Sequence, residues 1–218
     1  MEADFWHERW RLGQIGFHQP EHHPALERWW HHLGIAPGGR VLVPLCGRSL
    51  DMVWLARRGH PVLGIELSPV AAAGFFAHES LTPERAAAGP FMRLAAGAYE
   101  ILEGDFFDLT ASALGGVAGW YDRAALIALP DGMRRRYAEL LGRLLPAGAC
   151  GLLVTHEYDQ ARMAGPPFSV PVDEVRALFG GAFGVDLLER HETISANPRF
   201  AERGLDSFRE AVFRLVRR

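Results

Sequence analysis

Apolar and polar positions change period several times along this chain, and the changes mark its elements. Phe5, Trp6, Arg9 and Trp10 recur at helical spacing and predict a helix over 4–12. A loop containing GFHQPEHHP follows, and Pro24 suits the first turn of a second short helix. The texture then switches to an apolar strand over 40–45. Ser49 can cap a helix running to Arg58 and closed by Gly59, and a second apolar strand covers 62–67. Ser68-Pro69 opens another helix through FFAHES. Strands are expected over 99–103, 117–121 and 149–156, an amphipathic helix over 131–145 and a short helix over 172–179. Two last runs, 183–191 and 208–215, predict an antiparallel pair. Strands alternating with helices, ending in a strand pair, indicate a doubly wound α/β sheet. The expectation is a single domain over 1–218, with 1–35 as a helical N-terminal cover. In such sheets ligands sit beyond the carboxyl ends of the strands, where the strand order reverses. The candidate positions are therefore Leu45 to Gly47, Glu66, Asp105 and Asp122-Arg123.

Composition narrows the chemistry. The 218 residues are 49% hydrophobic, enough for one sizeable core. Net charge is −3 with no basic block, so nucleic acid is not an expected partner. No apolar run approaches the ~18 residues of a membrane span, and MEADFWHERW lacks the pattern of a secretory leader. Cys46 and Cys150 make no disulfide framework, which fits the reducing cytoplasm. His18, His22, His23, His31 and His32 crowd the first third without zinc-site spacing, so no metal is expected. All 23 basic residues are arginine. The absence of lysine excludes Schiff-base catalysis, a P-loop and a lysine-assisted tyrosine base.

Glu66 ends the second strand, 19 residues after Gly47. A carboxylate there can accept hydrogen bonds from both ribose hydroxyls, although an acid favoured by the following helix dipole would read the same. Asp105, with Phe106 beside it, could grip an adenine by edge and face, or serve only as an Asx-type turn residue. The first turn, PLCGRS, holds one glycine, too few for a backbone to approach a pyrophosphate. An adenosine without a pyrophosphate fits better, and S-adenosylmethionine is such a ligand.

The segments FWxxRW, GFHQ, VLVPLCGRSLDMVWLA, GHPVLGIELS, WYDRAAL, GPPFSVP and ERGLD span nearly the whole chain. In this combination the chain resembles the thiopurine S-methyltransferase family, in a bacterial form. The resemblance implies a class I S-adenosylmethionine-dependent methyltransferase fold. It also implies that Trp10 and Trp6 cover the methionine end of the cofactor, that Leu45 and Gly47 line its pocket, and that Glu66 holds the ribose. Asp105 and Phe106 would hold the adenine, while Arg123 would stand at the sulfonium and act in catalysis. Phe17, Pro167 and Arg203 would line the acceptor pocket. Asp105 departs from the small hydroxyl side chain of animal members.

Taken alone, Arg123 could equally form a local ion pair with Asp122. A nearby arginine would suit sulfur acceptors. A thiol of reference pKa ~8.5 is about 3% ionised at pH 7, and lowering it by ~1–2 units raises that to roughly a quarter to three quarters. The expected acceptors are small thiols, thiopurines and aromatic or heterocyclic thiols included, with selenium and tellurium species as candidates and the protein acting as a monomer. The alternatives are a halide-like anion methyltransferase, a nicotinamide-dependent oxidoreductase, or a catalytically silent cofactor binder.

Overall fold

The computed structural model describes residues 3–16 and 18–218. Among the described residues, nine strands form one mixed sheet: β1 (Arg40–Val43), β2 (Val62–Glu66), β3 (Glu84–Ala88), β4 (Phe91–Ala96), β5 (Tyr99–Glu103), β6 (Val117–Asp122), β7 (Cys150–Glu157), β8 (Phe183–Glu192) and β9 (Arg209–Arg217). Their spatial order is β3-β4-β5-β2-β1-β6-β7-β9-β8. The central five, from β5 to β7, run parallel, and β9 lies antiparallel between β7 and β8. The chain leaves β1 toward β2 on one side and returns to β6 on the other. The reversal of strand order therefore falls between β1 and β6.

The helices are α1 (Ala3–Arg11), α2 (Pro24–Trp29), α3 (Leu50–Arg57), α4 (Pro69–His78), α5 (Ala111–Leu114), α6 (Asp131–Leu144), α7 (Val172–Phe179) and α8 (Pro198–Ala201). Side-chain alternation along the central strands feeds two cores. Val41, Val43 and Tyr121 enter the layer shared with Leu26, Leu55 and Phe75. Leu42 and Trp120 enter the opposite layer with Tyr137, Phe179 and Phe183. All of β2 is buried, as a strand covered on both faces must be.

The expected strands and helices stand in their expected order; the short helices α5 and α8 and one hairpin are additions. Residues 84–96 form the antiparallel hairpin β3–β4, which extends the sheet beyond β5. The alanine-rich ERAAA has weak strand propensity, and its side chains are mostly exposed. It pairs because β4 offers an open edge, a long-range cause without a local signature.

Two tryptophans fasten the N-terminal region to the sheet. Trp30 donates from Nε1 to His60 Nε2 at 3.1 Å and packs edge-on against Tyr121. Trp29 donates to Glu189 on β8 at 2.8 Å.

Candidate active site

A cavity of about 250 Å³ opens at the carboxyl ends of the parallel strands, at the reversal of strand order. Among its lining residues are Trp6, Trp10, Leu45, Gly47, Glu66, Asp105, Phe106, Arg123 and Pro167, so nine sequence candidates share one wall system. Phe17 lies outside the described residues. Arg203 is not among the lining residues. It is exposed, with Nη1 3.8 Å from Met163 Sδ, and the arginine that reaches the cavity from this region is Arg199 on α8.

The turn after β1 is built around left-handed backbone. Leu45 has φ 47° and Gly47 φ 54°. A Cβ on Gly47 would stand 3.1 Å from Trp10 Cζ2. Gly47 thus meets two demands at once, the backbone angle and the close approach of α1. The same turn is tied to β2, because Gly47 N–H donates to Glu66 Oε2 at 2.8 Å and Ser68 N–H to Oε1 at 2.7 Å. Each carboxylate oxygen thereby keeps lone-pair capacity for a ligand hydroxyl. Burial pushes Glu66 up to about 7, against the pull of these backbone donors.

Asp105 Oδ1 accepts the Phe107 N–H at 2.9 Å, the Asx turn, while the residue lies at the cavity wall. The two readings of Asp105 are compatible, since its second oxygen is separate from that bond. Phe106 is 4% exposed and packs on Tyr137 with centroids 4.9 Å apart.

Arg123 does not pair with Asp122. Its Nε donates to Asp51 Oδ2 at 3.0 Å, 72 residues away on α3. Asp51 is 1% exposed and also accepts the His23 N–H at 2.7 Å and the Ser49 hydroxyl at 2.9 Å. Burial works against the guanidinium's charge, but Asp51 and Tyr121 outweigh it, so Arg123 stays a cation. Asp122 is occupied elsewhere. It accepts from Tyr137 Oη at 2.7 Å and from the Ala125 and Leu126 amides, which stiffens the turn that carries Arg123. Burial raises Asp122 to about 6.

The lining residues outside the candidates include Asp51, His156 and Arg199. Asp51 carries no sequence signal, because its partners are far away in the chain. His156, at the end of β7, follows the same strand-end rule as the others and could have been found by it. Arg199 donates to the Gly16 carbonyl and so joins α8 to the N-terminal loop. The GPPFSVP segment is tied down beside them: Phe168 N–H donates to Ile127 O, Val170 N–H to His156 O, and Tyr158 Oη to Pro167 O at 2.5 Å.

Comparison with solved structures supports the architecture. An S-adenosylmethionine-dependent methyltransferase from Anabaena variabilis superposes with a TM-score of 0.65 at 13% identity, over 99% of this chain and 95% of that one. The strand order, the glycine turn bonded to the acid ending β2, and the cavity above them match the class I S-adenosylmethionine-dependent methyltransferase fold. Curated proteins similar along the full length include the thiopurine S-methyltransferase of Azotobacter vinelandii, 51% identical over 218 residues with both chains fully covered. That of Bordetella petrii is 50% identical over 217 residues, covering 100% of this chain and 99% of its own. A family model for thiopurine S-methyltransferase matches residues 1–218, and the chain belongs to that family. A nicotinamide-dependent oxidoreductase, one of the alternatives left open by the sequence, is displaced by these findings.

Proposed function

We propose that this methyltransferase transfers the methyl group of S-adenosylmethionine to small thiols, thiopurines and other aromatic or heterocyclic thiols among them, with selenium and tellurium species as further acceptors. The observation that carries this reading is Arg123, a partly buried cation held by Asp51 in the cavity that also contains Glu66. A fixed positive charge favours an anionic sulfur over its protonated form.

The residues fit the cofactor. Glu66 retains acceptor capacity for two ribose hydroxyls, Phe106 offers an aromatic face, Asp105 an acceptor, and Trp6 and Trp10 an apolar cover. When bound, S-adenosylmethionine supplies a methyl group already activated by its sulfonium. The chain's own work is alignment and charge. Arg123 orients and stabilises the thiolate, Pro167 and Arg199 bound the acceptor side, and α1 excludes water from above. Residues 1–35 then act as a cover on a single domain. Two other groups at the wall are unsuited to take a proton. Burial, assisted by Asp51, pushes the Tyr121 phenol well above its ordinary value, and burial does the same to the Cys46 thiol. A small-molecule thiol as the only partner, the monomeric state and a cytoplasmic site of action belong to the same reading. Both cysteines are free, as a reducing compartment keeps them.

Methyl transfer from labelled S-adenosylmethionine to 6-mercaptopurine, a thiophenol, reduced selenite, iodide, a catechol and an amine tests it. Transfer confined to sulfur and its heavier relatives is the expected outcome. Transfer mainly to the catechol, the amine or iodide would overturn it.

A further inference from the structure

His156 stands near the end of β7 and lines the cavity with the acceptor-side residues Arg123, Pro167 and Arg199. Its half-buried imidazole packs on Phe208 with centroids 4.7 Å apart, and its backbone carbonyl accepts the Val170 N–H, so ring and backbone are both fixed. Nδ1 is enclosed and has no hydrogen-bond partner. A proton there would be a buried N–H without an acceptor, a rarer and costlier state than a bare lone pair. The neutral ring therefore carries its proton on Nε2, which is not enclosed and is bonded by no described residue.

The ring also stays neutral. Burial holds it down to about 4, and the charges facing it are mixed: Glu210 on β9 favours protonation, while His23, Arg123 and Arg199 oppose it. At neutral pH His156 thus offers the cavity one fixed N–H and no charge. Arg123 and Arg199 likewise only donate, and Arg199 already gives one N–H to the Gly16 carbonyl. Behind the ring, Glu210 stands opposite His156 in the β7–β9 register. Burial opposes the charge of Glu210, but its bond to His23 and the facing histidines outweigh that and keep it a carboxylate. A second full negative charge placed at the ring would be repelled by it, whereas an uncharged or partly charged lone pair would meet little opposition.

Resting on the thiol reading above, we propose that His156 is a specificity-determining residue, its Nε2–H donating to a ring nitrogen beside the carbon that bears sulfur, so that the site favours aza-aromatic thiolates over carbocyclic ones. In such a thiolate the charge is shared between sulfur and the neighbouring nitrogen through the carbon between them. One anion therefore presents two accepting atoms. Arg123 takes the sulfur and His156 the nitrogen, and two fixed points set the ring plane and hold the sulfur in line with the methyl group. A carbocyclic thiolate of the same shape satisfies Arg123 but leaves the Nε2–H facing carbon, a donor stripped of water and unpaired. His156 moves no proton in this role.

The test compares the unaltered protein with His156→Leu, which has no donor, and His156→Gln, which keeps an N–H. The acceptors are 2-mercaptopyrimidine, the similarly shaped thiophenol, and 2-mercaptobenzoate, assayed at about pH 9, above the ~8.5 of an ordinary thiol, so that all are thiolates. The ratio of kcat/KM for 2-mercaptopyrimidine to that for thiophenol is expected to fall about 10-fold in His156→Leu and less than about 3-fold in His156→Gln. A second readout needs neither turnover nor a variant: in the dead-end complex with S-adenosylhomocysteine, the Nε2–H resonance of ¹⁵N-labelled His156 should move downfield with 2-mercaptopyrimidine and stay in place with thiophenol. An unchanged ratio in His156→Leu, or the same Nε2–H resonance with both thiols, would overturn the proposal while leaving the thiol reading intact. A loss confined to 2-mercaptobenzoate would also overturn it, assigning the donor to a carboxylate. Absence of transfer from the unaltered protein to all three thiols would overturn that reading and this inference with it.

Discussion

Glu66 combines two features that pull against each other. Its oxygens are each fixed by one backbone N–H, yet burial lifts it to about 7, so the empty site is half protonated at that pH. Two ribose hydroxyls donating to the carboxylate would favour its ionised form and pull the value down. Binding of S-adenosylhomocysteine should therefore release about half a proton at pH 7 and almost none at pH 8.5, where the empty site is already ionised. Calorimetry in buffers of different ionisation enthalpy measures this number directly. A binding enthalpy independent of the buffer at pH 7 would show that Glu66 does not change its charge, and would remove it from the ribose. The sign for stability is the reverse of an ordinary surface acid. With the folded value raised above the unfolded one, the contribution of Glu66 is fully present below the unfolded value near 4.5 and is lost as pH rises through about 7. Ligand binding offsets that loss.

At the scale of elements, the turn between β1 and α3 carries the most information per residue. A non-glycine residue, Leu45, already sits at φ 47°, two positions before Gly47 at φ 54°. Replacing Gly47 by alanine places a Cβ 3.1 Å from Trp10 and forces an L-residue into the left-handed region. The Gly47→Ala protein should be less stable by about 1–2 kcal/mol from the backbone alone. Because the adjustment must come from Trp10 or the Glu66 bond, it should also bind S-adenosylhomocysteine less tightly. Urea unfolding and a binding titration report the two effects, and unchanged stability would mean the turn relaxes without cost. This turn was legible in the sequence because everything it needs is local: an apolar run, one glycine, a capping serine and an acid at the next strand end. The same locality explains why Glu66, Asp105 and Arg123 could be placed from strand ends alone. It also explains the gaps. The Asp51–Arg123 pair joins residues 72 positions apart, so nothing near Arg123 distinguishes this partner from the adjacent Asp122. The β3–β4 hairpin is recruited by an open edge rather than by its own pattern. Arg199 and Arg203 lie in the same short segment, and only the placement of α8 decides that the former faces the cavity.

Across the whole molecule, the N-terminal segment is joined to the floor of the cavity. The α1 helix reaches the cavity through Ala3, Trp6, Arg9 and Trp10, and Trp10 rests on the glycine turn. Farther along, the His23 amide bonds Asp51 and its Nε2 lies 3.0 Å from Glu210 on β9. His23 Nδ1 accepts the Ala25 N–H, so Nε2 bears the proton and donates to Glu210. The N-terminal region is thus fastened to both the helix that holds Arg123 and the strand opposite His156. A cofactor bound beneath α1 must be released, or lose its lid contacts, each time this region opens. Ligand at 100 times its dissociation constant adds about 2.7 kcal/mol to such an opening, equivalent to roughly 100-fold slower exchange of the amides it protects. Hydrogen exchange with S-adenosylhomocysteine should therefore slow residues 3–24 by up to that factor. Amides on the outer face of α6, remote from the cavity and exchanging by local fraying, should not change. Unchanged exchange in 3–24 would mean that the cofactor is held by the sheet and its turns alone, with α1 a fixed wall. Equal slowing in 3–24 and in α6 would mean that exchange proceeds through global unfolding, in which case the region opens no more readily than the core and does not act as a lid.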